Sequence, residues 1–191
     1  MGRYISKTLL RCLGWRIITE YEALPAKYLL IAVPHTSNWD FPVGLLARAA
    51  LGLDIRYVGK ASLFRSPLGC LFRWLGGYPV DRSRSTGYVD AVTDLFNQKE
   101  TFAICIAPEG TRRRVEKLKT GFYYIALGAK VPIIMARFDW ANKRITISAP
   151  FYPTGNPTLD FEEIDSFFIG TLGKNPEQSY GYRRQPDLYN E

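Results

Sequence analysis

Short apolar runs that alternate with stretches of helical spacing are the feature that most limits how this chain can fold. Five runs have the character of strands, and several are too continuously apolar for one solvated face: residues 28–33, 55–58, 102–107, 131–136 and 145–148. Helical spacing fills four stretches between them: residues 41–51, 63–75, 88–97 and 120–127. The alternation predicts an α/β fold, a single domain whose largely parallel or mixed sheet is flanked by helices. Ligands of such sheets bind at the carboxyl ends of the strands, so the functional residues are expected there.

The charge and the cysteine and histidine content restrict the classes of partner. A formal net charge of +7 favours anionic partners, whether phosphates, nucleic acid or anionic lipid headgroups. Nucleic acid is disfavoured, because the chain shows no RNA-recognition signature, no zinc-finger spacing and no basic helix of the usual kinds. One histidine and three cysteines without a CxxC pair argue against a metal site, and the odd, sparse cysteine set is typical of a reducing compartment. At 191 residues the chain can bury the core of one domain.

The first twenty residues are amphipathic. Apolar side chains recur at near-helical spacing over residues 4–18, although Gly14 interrupts the pattern. Two interpretations stay open: a helix packed on the domain, or an anchor that lies on a membrane with an apolar stripe at Ile5, Leu9, Leu13 and Trp15. No run reaches the ~18–20 apolar residues of a membrane span, and the start of the chain does not resemble a secretory signal. We therefore expect an amphipathic helix over residues 1–20, followed by a domain over residues 21–191.

The only histidine in the chain follows the first predicted strand directly. His35 stands five residues before Asp40, and Thr36, Ser37 and Asn38 between them favour a turn that caps the next helix. Such a turn can fold Asp40 back towards the imidazole. A carboxylate on one ring nitrogen fixes the tautomer and supports the imidazolium that forms when the other nitrogen takes a proton. The pair is therefore a candidate general base for a hydroxyl, whereas a solitary histidine at a loop often has only a structural role.

Three basic features lie near the ends of other predicted strands. The segment 108–114 holds Glu109, a permissive Gly110 and three arginines, whose forked donors suit phosphate. The segment 76–82 ends on Arg82, and Lys60 follows the second predicted strand. Each also has a plain interpretation: a solvated arginine run, a turn with a surface ion pair, and a solvated lysine.

Four blocks taken in order resemble the glycerolipid acyltransferases, which include the 1-acylglycerol-3-phosphate acyltransferases. They are His35-x4-Asp40, the segment 77–82 (Gly-Tyr-Pro-Val-Asp-Arg), the segment 108–112 (Pro-Glu-Gly-Thr-Arg) and the segment 131–134 (Val-Pro-Ile-Ile). The first block alone is a weak signal, but the ordered set is specific and spans roughly residues 28–137. The departures, Pro34, Arg113 and Met135, remove no catalytic group.

The resemblance implies a role for each block. His35 would be the catalytic base and Asp40 the residue that orients it. The acceptor substrate would contact six residues: Arg82 through its phosphate, then Glu109, Gly110, Thr111, Arg112 and Lys60. The block at 131–134 would shape an acyl pocket.

The resemblance also implies a reaction and a setting. The fold would be glycerol-3-phosphate acyltransferase-like, with the acyltransferase domain over residues 21–191. A fatty acyl group would pass from acyl-CoA or an acyl carrier protein, as a thioester co-substrate without any cofactor, to a lysophospholipid hydroxyl, above all that of 1-acylglycerol-3-phosphate. Apart from the resemblance, the apolar stripe and the net charge of +7 predict peripheral contact with anionic membrane at the cytoplasmic face. The alternatives are a non-phosphate acceptor such as a lyso-aminolipid, or a non-catalytic lipid-surface or nucleic-acid-binding protein.

Overall fold

The computed structural model of the protein describes residues 2–80, 85–180 and 182. The strands are β1 (Arg16–Thr19), β2 (Lys27–Val33), β3 (Arg56–Lys60), β4 (Gly77–Val80), β5 (Phe102–Ile106), β6 (Ile133–Asp139) and β7 (Arg144–Ile147). The helices are α1 (Gly2–Cys12), α2 (Asp40–Leu51), α3 (Ala61–Arg65), α4 (Gly69–Trp74), α5 (Ser85–Asn97), α6 (Gly121–Ala129) and α7 (Pro157–Phe168). A short 3-10 turn follows at Pro176–Gln178.

The strands form one sheet in the order β1-β7-β6-β2-β5-β3-β4. Every neighbouring pair is parallel except β6 and β7, which are antiparallel. The prediction of an α/β fold with a mixed, mostly parallel sheet is confirmed. Because β2 and β5 are parallel neighbours, their carboxyl ends lie side by side, and the segments that follow Val33 and Ile106 meet at one edge of the sheet.

Helices cover both faces of the sheet. On one face, α1 and α2 pack through Leu10, Val43 and Ala47 against the apolar side chains of β2, β6 and β7. On the other face, α5, α6 and α7 contribute Phe96, Tyr123, Phe168 and their neighbours to a second apolar cluster. The two clusters explain why the central strands are apolar on both sides, as the continuous runs in the sequence indicated.

Three elements differ from the sequence-based expectation. The helix predicted over 63–75 is two short helices, because Pro67 cannot donate the backbone hydrogen bond that would continue α3. Residues 16–19, assigned to the helical stripe, form the edge strand β1 instead, paired with β7. The helix α7 was not predicted. It begins after Asn156, whose side chain accepts from the backbone N–H groups of Thr158 and Leu159.

The helix α1 packs through a narrow face only. Leu10 is buried against the core and Arg3 donates to the backbone oxygen of Ala50 at the end of α2. Trp15, placed in the exposed stripe by the sequence pattern, is 3% exposed and lies in the core, so that assignment is wrong. The chain reverses at Gly14, whose φ of +80° suits a residue without a side chain, and this reversal carries Trp15 inwards. The rest of the stripe stays exposed: Tyr4, Ile5, Leu9 and Leu13.

Candidate active site

His35 and Asp40 lie together at the carboxyl end of β2. The imidazole Nδ1 is 3.1 Å from Asp40 Oδ2, and the same oxygen accepts the backbone N–H of Ser37 at 2.8 Å. Asp40 is the first residue of α2 and is buried, while the His35 side chain is 31% exposed. An ionised carboxylate only accepts, so Nδ1 carries the proton and Nε2 is left with its lone pair. The turn thus brings the two predicted catalytic residues together, with the outward ring nitrogen able to take a proton.

A third donor holds the carboxylate, and sequence reasoning missed it. The indole Nε1–H of Trp140 donates to Asp40 Oδ1 at 2.7 Å. Trp140 follows the end of β6, and its ring packs edge-on against Trp15 with centroids 4.9 Å apart. The signal that could have revealed it is its position after a strand at the same sheet edge as His35. With Ser37 N–H, His35 Nδ1–H and this indole, both carboxylate oxygens are held.

Glu109 lies against the same turn from the next strand. Its Oε2 accepts the backbone N–H of His35 at 2.5 Å, and its side chain is almost fully buried. Burial raises the pKa of Glu109 to about 8, with nearby Asp40 adding to the rise and the His35 N–H opposing it. At neutral pH this carboxyl is therefore largely protonated, with an O–H to donate. Glu109 thus holds the turn of residues 35–40, which carries the two predicted catalytic residues and which we call the catalytic turn.

Two cations, Arg112 and Lys119, lie next to the loop that carries Glu109. Gly110 has a φ of +66°, and a Cβ there would meet Lys119 Nζ at 2.6 Å, so the lysine lies directly over the glycine. Arg112 donates to the side chain of Asn38 in the catalytic turn. The hydroxyl of Thr111 accepts the backbone N–H of Arg113 and so shapes the turn. Lys119, which sequence reasoning missed, has no ion pair with any described carboxylate, and Arg112 and Lys119 are both exposed.

The structure tests the remaining sequence-predicted contacts less fully. Arg82 lies outside the described residues, directly after the end of β4. Lys60 ends β3 and its backbone pairs with Val80, but its side chain is not described. The block at 131–134 is buried in the two apolar clusters and lines no part of the cavity beside His35 that the described residues define. The expected role of that block in an acyl pocket is therefore not supported.

An apolar cavity of about 240 Å³ begins at His35 and Asp40 and runs between α2 and the sheet. The helix lines it along its whole length with Phe41, Gly44, Ala47, Arg48 and Leu51. The sheet contributes small and aliphatic side chains, among them Leu30, Ala32 and Ala136. Arg48, two turns from Asp40, donates from its guanidinium to the backbone oxygens of Ile55 and Leu75. The imidazole thus borders a mostly apolar cavity whose lining includes residues of α2 from Asp40 to Leu51.

The site offers neither an activated thiol nor a metal cluster. Cys105 lines the cavity, and burial raises the pKa of its thiol to about 12, so it stays protonated at neutral pH. Across residues 2–80, 85–180 and 182, no group of three or more His, Cys, Asp or Glu side chains could hold a metal ion. The chemistry that the described groups support is proton transfer at His35 Nε2 beside an apolar channel and exposed cations.

Comparisons with known proteins agree with this arrangement. A family model described as "Acyltransferase" matches residues 16–138, more than half of the chain. The chain is 31% identical over 115 residues to human 1-acyl-sn-glycerol-3-phosphate acyltransferase beta, covering 57% of this chain and 41% of that protein. It is 33% identical over 97 residues to 1-acyl-sn-glycerol-3-phosphate acyltransferase of Escherichia coli strain K12, covering 48% and 40%. The chain therefore spans about two fifths of the length of these relatives.

One solved structure shares the fold. The crystal structure of the 1-acyl-sn-glycerophosphate (LPA) acyltransferase PlsC from Thermotoga maritima aligns with a TM-score of 0.60 at 19% identity. The alignment covers 86% of this chain and 74% of that one. At this identity the likeness concerns the architecture of the mixed sheet and its helices.

Proposed function

Since the chain belongs to the acyltransferase family, we propose that it moves a fatty acyl group from a thioester donor to the hydroxyl of a lysophospholipid, above all 1-acylglycerol-3-phosphate. The donor is acyl-CoA or an acyl carrier protein. The names of the two curated relatives support this acceptor. One observation carries the proposal: the His35–Asp40 pair stands at the end of an apolar cavity that follows α2.

The dimensions of the cavity suit an acyl chain. From Asp40 to Leu51, α2 advances about 1.5 Å per residue, or roughly 16 Å in all. An extended chain of single carbon–carbon bonds, about 1.5 Å each at about 111°, advances about 1.25 Å per carbon, so roughly 13 carbons fit along the helix. The lining is apolar along this path, and burying each CH₂ group stabilises the bound chain by about 0.8 kcal/mol. The thioester carbonyl would then lie at His35.

The reaction follows from the proton-accepting nitrogen. His35 Nε2 takes the proton of the acceptor hydroxyl as its oxygen attacks the thioester carbonyl carbon. The carbonyl π electrons move to oxygen, giving a tetrahedral oxyanion. When the C=O re-forms, the C–S bond breaks, and the leaving thiolate takes the proton from the imidazolium. Asp40 keeps the ring in its tautomer and stabilises the imidazolium between these two steps. No covalent acyl-enzyme is needed.

Exposed cations beside His35 support a phosphate on the acceptor. Arg112 and Lys119 border the loop that carries Glu109, and neither forms an ion pair with a described carboxylate. Glu109, protonated at neutral pH, places an O–H near the catalytic turn without adding a negative charge that would repel a phosphate. We include Arg82, Lys60 and the Gly110–Thr111 backbone in this acceptor region because of the family resemblance.

We further propose that the protein reaches its acceptor by peripheral attachment to anionic membrane at the cytoplasmic face. No helix in the described residues is long and apolar enough to span a membrane. Two surfaces expose large apolar side chains: Tyr4, Ile5 and Leu9 on α1 with Leu13 just after it, and Leu71 and Trp74 on α4 with Leu68 just before it. Residues 2–19 and 55–80 each carry four basic residues and no acidic one. Each basic side chain near an anionic leaflet contributes on the order of 1 kcal/mol, less at high salt.

A thiol-release assay tests the reaction. Acyl-CoA and acyl carrier protein donors are combined with 1-acylglycerol-3-phosphate, a lyso-aminolipid and simple alcohols. We expect fastest turnover with the phosphate acceptor and a loss of at least about 10²-fold in His35→Ala, whose melting temperature is checked in parallel. Equal turnover with simple alcohols would refute the phosphate acceptor, and no thiol release in any combination would refute acyl transfer.

A substitution series at Gly44 tests the cavity separately. Gly44 lies one turn beyond Asp40 and lines the channel. A Cβ there would meet Phe138 at 3.6 Å, an ordinary contact, so Gly44→Ala is the matched control. Gly44→Leu fills the channel after about the first four carbons, because one helical turn of about 5.4 Å spans about four carbons at about 1.25 Å each. We expect the leucine variant alone to lose turnover of long-chain donors, by roughly tenfold or more, while keeping short-chain donors. Unchanged chain preference would place the acyl chain elsewhere.

A further inference from the structure

A segment close to the C-terminus of the described residues lies on the catalytic turn. Thr171 and Leu172 are buried, and so are Ser179 and Tyr180, although the sequence of this region is polar and rich in turn residues. Gly173 and Lys174 continue the segment to Asn175, and we call residues 171–175 the strap. The strap lies outside residues 16–138, which the family model matches.

The strap bonds directly to Thr36, the residue that follows His35. Asn175 Nδ2 donates to the backbone oxygen of Thr36 at 2.8 Å, and the Asn175 backbone N–H donates to Thr36 Oγ1 at 3.1 Å. Thr36 is 2% exposed, so these contacts are shielded from water. A Cβ at Gly173 would lie 2.4 Å from Thr36 Oγ1, which shows how closely the strap backbone approaches the turn. Ser179 Oγ in turn accepts the Gly173 backbone N–H at 2.8 Å.

The strap also reaches the other end of the turn. The backbone N–H of Trp140 donates to Leu172 O at 2.8 Å, and the indole of Trp140 donates to Asp40 at 2.7 Å. Lys174 Nζ lies 5.4 Å from the Trp140 ring centroid and 4.7 Å from that of Trp39, within cation–π range of both. The turn that carries the candidate base and its carboxylate is thus held at both ends by one segment.

We propose that the strap is a positioning device for the His35–Asp40 pair, with Asn175 acting through Thr36 and Trp140 acting on the Asp40 carboxylate. The role in turnover rests on the proposed acyl transfer, whereas the role in orienting the imidazole does not. Proton transfer requires His35 to keep one tautomer and one direction, and a displacement of about 1 Å can cost about 10²-fold in rate. Within the turn Asp40 is held by the Ser37 N–H and by His35 itself, so contacts from outside the turn are needed to fix the orientation of the pair.

Imidazole NMR on the ¹⁵N-histidine-labelled full chain reads this orientation without any substrate. His35 is the only histidine, so one pair of ring nitrogen signals reports its tautomer. The variants are Asn175→Ala, which removes the side-chain donor to Thr36 O but keeps the backbone N–H bond to Thr36 Oγ1, and Trp140→Phe, which removes the indole donor and keeps an aromatic ring. The control is Asn156→Ala, which removes the side-chain cap of α7. This cap is a pair of hydrogen bonds that lies away from the turn. Melting temperatures are measured for all four proteins.

The expected result separates positioning from stability. Wild type and Asn156→Ala show the Nδ1–H tautomer, while Asn175→Ala and Trp140→Phe show a mixture or exchange-broadened signals. In the thiol-release assay these two variants lose roughly 10–100-fold in kcat with acceptor KM little changed. Wild-type ring signals in folded Asn175→Ala and Trp140→Phe would overturn the proposal, even if both melt at lower temperature. If Asn175→Ala does not fold, the ring nitrogen signals of Trp140→Phe test the proposal. If wild type releases no thiol, the acyl-transfer proposal fails. The ring nitrogen signals still test whether the strap orients the His35 imidazole.

Discussion

The buried Glu109 carboxyl makes a quantitative prediction about stability and pH. Its pKa rises from an ordinary 4.5 to about 8 in the folded protein, mainly because burial disfavours the charge. Between these two values the folded state holds a proton that the unfolded state has released. Folding stability must therefore fall as pH rises across that window, by about 1.4 kcal/mol per pH unit at most. Over 3.5 units the total is about 5 kcal/mol, which is comparable with the whole stability of a small domain.

Glu109→Gln isolates this contribution. The amide oxygen can still accept the backbone N–H of His35, which the carboxylate accepts at 2.5 Å, but the side chain no longer ionises. We expect the variant to be close to wild type in stability near pH 4.5. It should then gain on wild type as pH rises, by about 4 kcal/mol between pH 5 and pH 8, and the gain should level off above pH 8. Other titrating groups are common to both proteins and largely cancel in the difference.

The assay is urea unfolding followed by tryptophan fluorescence at five pH values from 5 to 9. Glu162→Gln, an exposed position on α7, controls for the loss of one negative charge. A difference between wild type and Glu109→Gln that stays flat from pH 5 to pH 8 would refute the reasoning, because it would mean that Glu109 ionises alike in both states. A difference that falls with rising pH would show that the folded state favours the charged carboxylate.

Four further outcomes are expected. Asp40→Asn should lower kcat by at least about 10²-fold, because the amide can favour the wrong imidazole tautomer, and steady-state thiol release with a parallel melting curve measures it. Gly110→Ala should lower both melting temperature and activity, since its φ of +66° is strained for alanine and the new Cβ meets Lys119 Nζ at 2.6 Å. Arg82→Ala should raise acceptor KM more than it lowers kcat, with partial rescue by Arg82→Lys, and an unchanged KM would remove Arg82 from the acceptor site. Trp74→Ser should reduce sedimentation with anionic liposomes while leaving turnover of a short, water-soluble acceptor unchanged, and undiminished liposome binding would exclude α4 from the lipid contact.

Local pattern determined much of what the sequence predicted correctly. The strands β2, β5 and β6 are buried on both faces, so each is a continuous apolar run that needs no knowledge of its neighbours to be recognised. The His35–Asp40 contact is also local, because five residues and a polar turn bring the two side chains together. Parallel strands then bring the ends of β2 and β5 to one edge, so the expectation of functional residues at strand ends covers both His35 and Glu109, whereas the role of Glu109 came from the family resemblance.

Contacts between residues distant in the chain were decided only by the tertiary structure. The bond from Trp140 to Asp40 joins residues 100 positions apart, and those from Asn175 to Thr36 join residues 139 positions apart, so no spacing rule contains them. The cavity is the space left between α2 and the sheet, and its lining follows from their packing rather than from any one segment. Trp15 shows the same limit: residues 4–18 have near-helical spacing apart from Gly14, yet the chain reverses at Gly14, residues 16–19 pair with β7, and the indole lies in the core. A periodic pattern indicates which side chains avoid water. It does not say which distant residues bury them, because those contacts form only when the chain folds.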